Sequence, residues 1–391
     1  MHPARHFGMD WLRIGAFALL ILYHITMAFS PWPYRINMEV PHYWVIIPML
    51  AVNPWRLILL FVVSGYASAA LLAKMAGAGR FLKSRTLRLI PPLIFGIIII
   101  VPPQAWIQLV TQKGYTQGFG HFLLHDYFSF RSIDGVLVPS WNHLWFVAYL
   151  FVYTAALSLL ALLPGSMCRG AGIVVERILT GPLVFILPAA LLAAFRLAML
   201  PDMQENTQML VDDWPAHLVY FSAFLFGVLL RNSHALWDAI RKWWWAAAIV
   251  AVLAYTGYAI REGWLIGTEL SRSLFHEIVA TRAVLAWTAI VALIGAADRL
   301  LDHDHPARRT LAEAVFPFYI IHQTIIVVVG WMLLESELSL LTRYFILVGA
   351  TAAGCWIFYD VGRRIAWLRP LIGLQAHPAW AQMARPSRAE A

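Results

Sequence analysis

The chain has 391 residues, of which 61% are hydrophobic and 13% charged, with a formal net charge of +8. Soluble domains carry about 25% charged residues, so one water-soluble core cannot hide this much apolar side chain, and lipid has to serve as the solvent. The positive balance reads as helix orientation, not nucleic-acid binding, because no basic stripe alternates with exposed aromatics.

Eighteen tryptophans and fourteen tyrosines suit aromatic belts at two membrane interfaces. Cys168 and Cys355 provide neither a disulfide framework nor a metal-ligand spacing, so no metal is expected. The first apolar run is about 20 residues, longer than a signal-peptide core, and no A-x-A site follows it.

Apolar runs predict ten spans, near 11–30, 55–74, 90–110, 143–163, 178–199, 216–230, 243–260, 273–296, 312–333 and 342–361. The expected fold is therefore an all-α integral membrane protein, a bundle of about ten transmembrane helices over 8–365 with a polar tail at 366–391. The stretch 43–52, YWVIIPMLAV, is too short to cross and is expected at the interface. With the N-terminus inside, Arg80, Lys83, Arg85 and Arg88 fall on the inner side, as do Arg169, Arg177, Arg231, Arg241, Lys242, Arg299, Arg308, Arg309, Arg363, Arg364, Arg369, Arg385 and Arg388. Asp202, Glu205, Asp212, Asp213, Glu335 and Glu337 fall outside. Every inner loop obeys the positive-inside rule, and both termini are expected in the cytoplasm. The longest loop, 112–141, lies outside and is rich in glycine, histidine and aromatics, as an ordinary surface loop or as the cover of a site.

The first span, MDWLRIGAFALLILYHITMAF, carries Arg13 and His24. Eleven residues are about three turns plus 20°, so both point the same way, about 16 Å apart along the axis. A charge at a span centre costs about 2.5–3.5 kcal/mol on insertion scales. Arg13 reads as a snorkelling anchor, paired with Asp10, or as a functional cation. His24 reads as a helix-to-helix hydrogen-bonding group or as a general base, for which burial supplies the neutral imidazole.

In the next span, LLFVVSGYASAALLA, the small residues Ser64, Gly65 and Ala67 permit close helix approach. Ser64 lacks the strand–turn–helix setting of a nucleophile elbow. The segment AKMAGAGRFLKSRTLRLIPPLIFG follows. Arg85 and Arg88 share a helical face, with Arg80 and Lys83 nearby. The cluster reads as a topology signal or as a site for a polyanionic cytosolic ligand, since arginine forks fit phosphates. Without a Walker motif it does not read as an NTP site. Later spans hold Arg196, His276, Glu277, Arg282, Glu313 and His322. Glu277 is a candidate partner for Arg282. Glu313 and His322 are nine residues apart and face opposite ways.

In this order the motifs resemble the acyltransferase 3 family of transmembrane acyltransferases. The resemblance rests on Arg13 and His24, on FVVSGY with Ser64 and Tyr66, on Arg85-x-x-Arg88, on HLWF from His143, and on FPFYIIHQTIIV with Tyr319 and His322. The strings PPLIFGIIIIVPPQ and HLWFVAYLFVY look most like members acting in glucan biosynthesis. Ala312, Glu313, Ala314 and Pro317 stand where many relatives have glycine or serine.

The resemblance implies transfer of an acyl group, acetyl or succinyl, from cytosolic acyl-CoA to a hydroxyl of an extracytoplasmic carbohydrate, by a multi-pass protein of a bacterial inner membrane. Acyl-CoA would be a co-substrate, with no tightly bound cofactor. His24 and Arg13 would be catalytic; Arg85, Arg88, Arg80 and Lys83 would hold acyl-CoA; Ser64, Tyr66, His143, Glu313, Tyr319, His322 and Arg282 would give support. Arg282 is the candidate for a succinyl carboxylate. The rival expectation is a polytopic transporter or flippase of a glycan-type solute, which would need inverted repeats and broken midplane helices.

Overall fold

The structure, a computed structural model, describes residues 6–38, 43–199, 208–265 and 271–376. Asp202, Glu205, Arg385 and Arg388 lie outside the described residues. Nine described helices are long and apolar enough to cross a membrane: α1 (Phe7–Met27), α2 (Tyr43–Leu72), α3 (Ala78–Lys113), α4 (Asn142–Leu160), α7 (Trp214–Asn232), α8 (His234–Glu262), α9 (Arg272–Leu300), α10 (Pro306–Leu333) and α11 (Leu340–Arg364). Between α4 and α7 come α5 (Gly165–Ile178) and α6 (Leu183–Ala198), bent by 98°; counted as one span they bring the total to ten. The chain is an all-α, multi-pass membrane protein.

Three elements differ from the sequence expectation. The stretch 43–52 is not a separate interfacial piece but the first part of a 30-residue span. Asn53 and Pro54 interrupt the helix for a single turn; Asn53 N–H still bonds Met49 O at 2.9 Å and Leu59 N–H bonds Trp55 O at 2.8 Å. Helix α3 starts twelve residues before the expected span, so the helical face expected for Arg85 and Arg88 is part of that span's helix, and Arg80 and Lys83 lie on it too; the run RFLKSRTLRL contains no breaker before Pro91. Arg169 and Arg177 lie on α5, an exposed helix, not in a loop.

Packing divides the chain into two compact units. The first comprises Met1–Pro33, Val40–Leu82 and Val152–Ala312; the second comprises Tyr34–Glu39, Lys83–Phe151 and Glu313–Ala391. In the first unit α2 and α7 meet backbone to backbone. A Cβ on Gly65 would lie 1.9 Å from Phe224 O, and one on Gly227 would lie 1.9 Å from Val62 O. The expectation that small residues here serve close approach is met, with Gly65 at the crossing. Gly65→Leu should therefore force the helices apart and destabilise the fold by about 1–3 kcal/mol or more, read as a lowered Tm in detergent. Gly15→Leu, at a position with nothing within 4 Å, is the control that should leave Tm in place.

In the second unit the loop after α3 has its own small core of Phe122, Tyr127, Val136 and Val138 against Ala105 and Leu109. Its antiparallel hairpin pairs β1 (Arg131–Ile133) with β2 (Val136–Val138). Asp126 accepts from the Tyr115 hydroxyl at 2.6 Å and from Arg131 at 2.7 Å. The tyrosine bond, then Arg131, holds its carboxyl below the usual range, while burial and the same bond push Tyr115 up to about 12. Because the folded value is the lower one, the carboxylate's contribution is complete above about pH 4, the ordinary carboxylate value, and fades as pH falls through the depressed value. Asp126→Asn should remove that acid sensitivity, checked by proteolysis of the loop at pH 6 and pH 3.

The chain beyond α11 also packs. Ile372 is 0% and Leu374 6% exposed, against Ala314 and Tyr359. Ordered structure thus continues past residue 365.

Candidate functional site

In the first unit, Arg13 and His24 lie on the inward face of α1. At about 100° per residue they are within about 20° of each other and within about 40° of buried Phe17 and Leu20, whereas exposed Gly15, Ala18 and Leu22 point the opposite way. Both side chains are partly accessible. The face therefore looks toward helices that α1 packs on.

At the Arg13 end, the expected Asp10 pairing is weak. Arg13 Nη2 is 4.0 Å from Asp10 and donates to Ala312 O at 3.3 Å. Asp10 is instead held by Arg308 at 2.5 Å, a guanidinium only 1% exposed that also meets Asp304 at 2.8 Å. Asp10 thus stands between the two arginines, nearer to Arg308.

At the His24 end stands a residue that the sequence reading passed over. The Arg56 guanidinium lies 3.6 Å from the centroid of the Tyr23 ring, next to His24 in sequence. It donates to Asn53 Oδ1 at 3.0 Å. Arg282 is in electrostatic reach of Tyr23, Arg56 and Glu262. Glu277, the expected partner of Arg282, is taken by Arg261 at 2.6 Å. Two arginines, from α2 and α9, therefore stand near Tyr23, with the Glu262 carboxyl in reach of Arg282. Tyr66 is buried, with Arg231 5.5 Å from its ring centroid, and Ser64 beside it is partly buried at the α2–α7 crossing.

Among the described residues, one group has the spacing of a metal site: His6, Asp298 and Asp302, with ligand atoms within 4.8 Å. Arg241 already bridges both Asp298 oxygens at 2.7 and 3.2 Å, and Gly8 N–H donates to Asp302. Arg241 thus holds Asp298 in an ion pair at the end of α1.

The four cations at the start of α3 separate around that helix. Arg85 and Arg88 lie near the face of buried Phe81 and Leu89, Arg85 partly buried and Arg88 exposed. Arg80 and Lys83 are exposed, roughly 140–160° around the helix from Arg85. The arginine pair is the group that a single ligand can meet together. Glu313 is exposed.

Further along α3 the sequence IIIIVPPQ opens the helix. Residues Gly96–Ile100 form a π-helical turn, and Pro102 and Pro103 bring no N–H. Carbonyls are thereby released inside a span, where they need donors. Tyr127 Oη donates to Ile97 O at 2.7 Å and Thr324 Oγ1 to Ile100 O at 2.7 Å. Around them a buried amide cluster assembles. Gln104 Nε2 donates to Thr324 Oγ1 at 2.6 Å; its Oε1 accepts from Asn142 Nδ2 at 3.1 Å and Gln323 Nε2 at 3.2 Å.

The structure brings His143, Tyr319 and His322 together beside this cluster. Tyr319 Oη donates to His143 O. His143 Nε2 is 3.0 Å from Ile320 O, and the His143 and His322 rings stand 5.0 Å apart at 85°. Gln104, Asn142 and Gln323 were missed from sequence, yet the double proline before Gln104 is a readable signal that free carbonyls and their partners gather there.

Residues 6–360 match the family described as "Acyltransferase domain". The chain is also similar to proteins named "Glucans biosynthesis protein C" from Shigella boydii serotype 4, Shigella dysenteriae serotype 1 and Escherichia coli O6:K15:H31. Each is 27% identical over 150 residues, covering 38% of this chain and 37% of the relative. The chain thus aligns with little more than a third of these relatives' length. No solved structure matches it.

Proposed function

Because the chain belongs to the acyltransferase family that it matches across residues 6–360, we propose that it transfers an acyl group from cytosolic acyl-CoA to a hydroxyl of a carbohydrate acceptor beyond the membrane. The reading includes a bacterial inner membrane and cytosolic termini. The observation that carries it is the placement of Arg13 and His24 on the inward face of one membrane-spanning helix.

In this reading Arg85 and Arg88 hold the phosphates of CoA, and Arg13 adds positive charge. The His24 imidazole takes the acceptor O–H proton as that oxygen bonds the thioester carbon. The C–S bond then breaks, and the CoA thiolate leaves with the proton returned from the imidazolium. Arg56 and Arg282 suit the negative charge that develops on the thioester oxygen, or the free carboxylate of a succinyl group. A covalent acyl-His24 intermediate is the variant route. The name of the similar glucan biosynthesis proteins supports a glucan as acceptor.

The test is transfer of label from acetyl-CoA or succinyl-CoA to a β-glucan oligomer by the full chain in lipid nanodiscs. Labelled oligomer is the expected result. Folded protein that labels no hydroxyl acceptor, but exchanges a glycan solute across liposomes, overturns the reading.

A further inference from the structure

His143 is 6% exposed, and its two ring nitrogens are in different situations. Nε2 faces the Ile320 carbonyl at 3.0 Å. A carbonyl only accepts, so Nε2 carries the proton and, in the neutral ring, Nδ1 presents its lone pair. That Nδ1 is buried and has no hydrogen-bond partner. The neighbouring amides contrast with it. Gln104 uses both ends of its side chain, Asn142 Oδ1 accepts from Ser140 Oγ at 2.9 Å, and Asn142 Nδ2 and Gln323 Nε2 both donate to Gln104. Amides that bind one another form a scaffold that holds its shape. A buried acceptor left open beside such a scaffold needs a donor that the fold around it does not supply.

The donor must be neutral or weakly polar. Arg35, bonded to Gln108 at 2.5 Å, is already in electrostatic reach of His143, and the His322 ring stands on its other flank. A second cation there would be repelled, and an anion offers no proton. An alcohol O–H fits: it donates to Nδ1, and its oxygen can still accept from a nearby donor.

We propose that His143 Nδ1 is the hydrogen-bond acceptor for a hydroxyl of the sugar substrate, which makes the His143–Gln104–Gln323 cluster of the second unit an acceptor-binding subsite. The proposal rests on the acyl-transfer reading for the identity of the sugar, but the contact is a property of this cluster alone. His143 is a binding residue here, distinct from the base assigned to His24. The structural alternative is a resident water on Nδ1.

Two measurements on the full chain in lipid decide it. With histidine ring nitrogens labelled with nitrogen-15, the signal lost in His143→Phe should include a bare, lone-pair nitrogen in wild type. That signal should move on addition of a β-glucan oligomer. In kinetics, His143→Phe should raise KM for the oligomer about tenfold, as expected for one hydrogen bond of roughly 1.4 kcal/mol. The ratio of sugar transfer to acyl-CoA hydrolysis without sugar should fall with it. His143→Asn, whose Oδ1 lies near the Nδ1 position, should recover part of the loss.

A protonated Nδ1, or a signal unmoved at saturating oligomer, overturns the proposal even if the chain turns over no acyl-CoA. Equal losses in hydrolysis and sugar transfer also overturn it, since they assign the site to water or to structure. Absence of all acyl-CoA turnover together with a sugar-shifted nitrogen would refute the acyl-transfer reading and keep the subsite.

Discussion

Replacing His24 with alanine is expected to lower kcat for transfer to the acceptor by about 10²–10⁴-fold, the usual contribution of a general base, with acyl-CoA affinity changed less than about twofold. The expectation follows from where α1 places the ring. It is on the same face as Arg13, beside Leu20, and away from exposed Leu22. The Arg56 guanidinium stacked on Tyr23 adds positive charge at that end. A truncated imidazole cannot accept the alcohol proton, whereas the phosphates of CoA are held elsewhere. Binding and chemistry should therefore come apart, which loss of folding would not produce. The measurements are single-turnover transfer and equilibrium binding of labelled acyl-CoA to the same preparation. His24→Gln keeps a hydrogen-bonding group without a usable base and should be as slow as alanine. Full activity in His24→Gln would remove the base from the mechanism. Labelled acyl-protein formed without acceptor, and absent from His24→Ala, would select the covalent route.

Arg85→Ala and Arg88→Ala should each raise KM for acyl-CoA roughly 10- to 150-fold, because hydrogen bonds to charged groups contribute about 1.5–3 kcal/mol. Both lie near one face at the start of α3, with buried Phe81 and Leu89 fixing the rotation of that helix. Lysine carries the charge but not the planar fork, so Arg85→Lys and Arg88→Lys should recover only part of the loss. Arg80→Ala and Lys83→Ala remove exposed charge from the other side of the helix and should cost about twofold, an effect that salt erases. Thermal shift by CoA and its esters gives an independent reading. Stabilisation of wild type should disappear in the double variant Arg85→Ala, Arg88→Ala. Equal stabilisation of wild type and double variant would place the phosphates somewhere else.

Much of the architecture was legible because the bilayer makes the rules simple. Backbone polar groups in hydrocarbon have to be paired within helices, so apolar runs of sufficient length locate the spans. The position of Arg13 relative to His24 follows from helical spacing alone, and so does that of Arg85 relative to Arg88. The small residues around Gly65 announced a close crossing, though not its partner. What spacing on one helix does not contain is contact between distant segments. Nothing local says that Asp10 lies closer to Arg308 than to Arg13, since both cations are available to it and only packing sets 2.5 Å against 4.0 Å.

The sequence by itself determined an all-α membrane protein, the motif order that identifies its family, and the Arg13–His24 face. Tertiary structure alone decided that Arg56 joins Tyr23 beside that face, that Glu277 goes to Arg261, and that His143, Tyr319 and His322 form one group. It also decided that Gln104, Asn142 and Gln323 satisfy each other around the opened turn of α3. The physical reason is that helix periodicity is a short-range property written in neighbouring residues. The pairing of buried polar groups depends on which segments, up to hundreds of residues apart, are driven together by the need to leave no donor or acceptor alone in hydrocarbon.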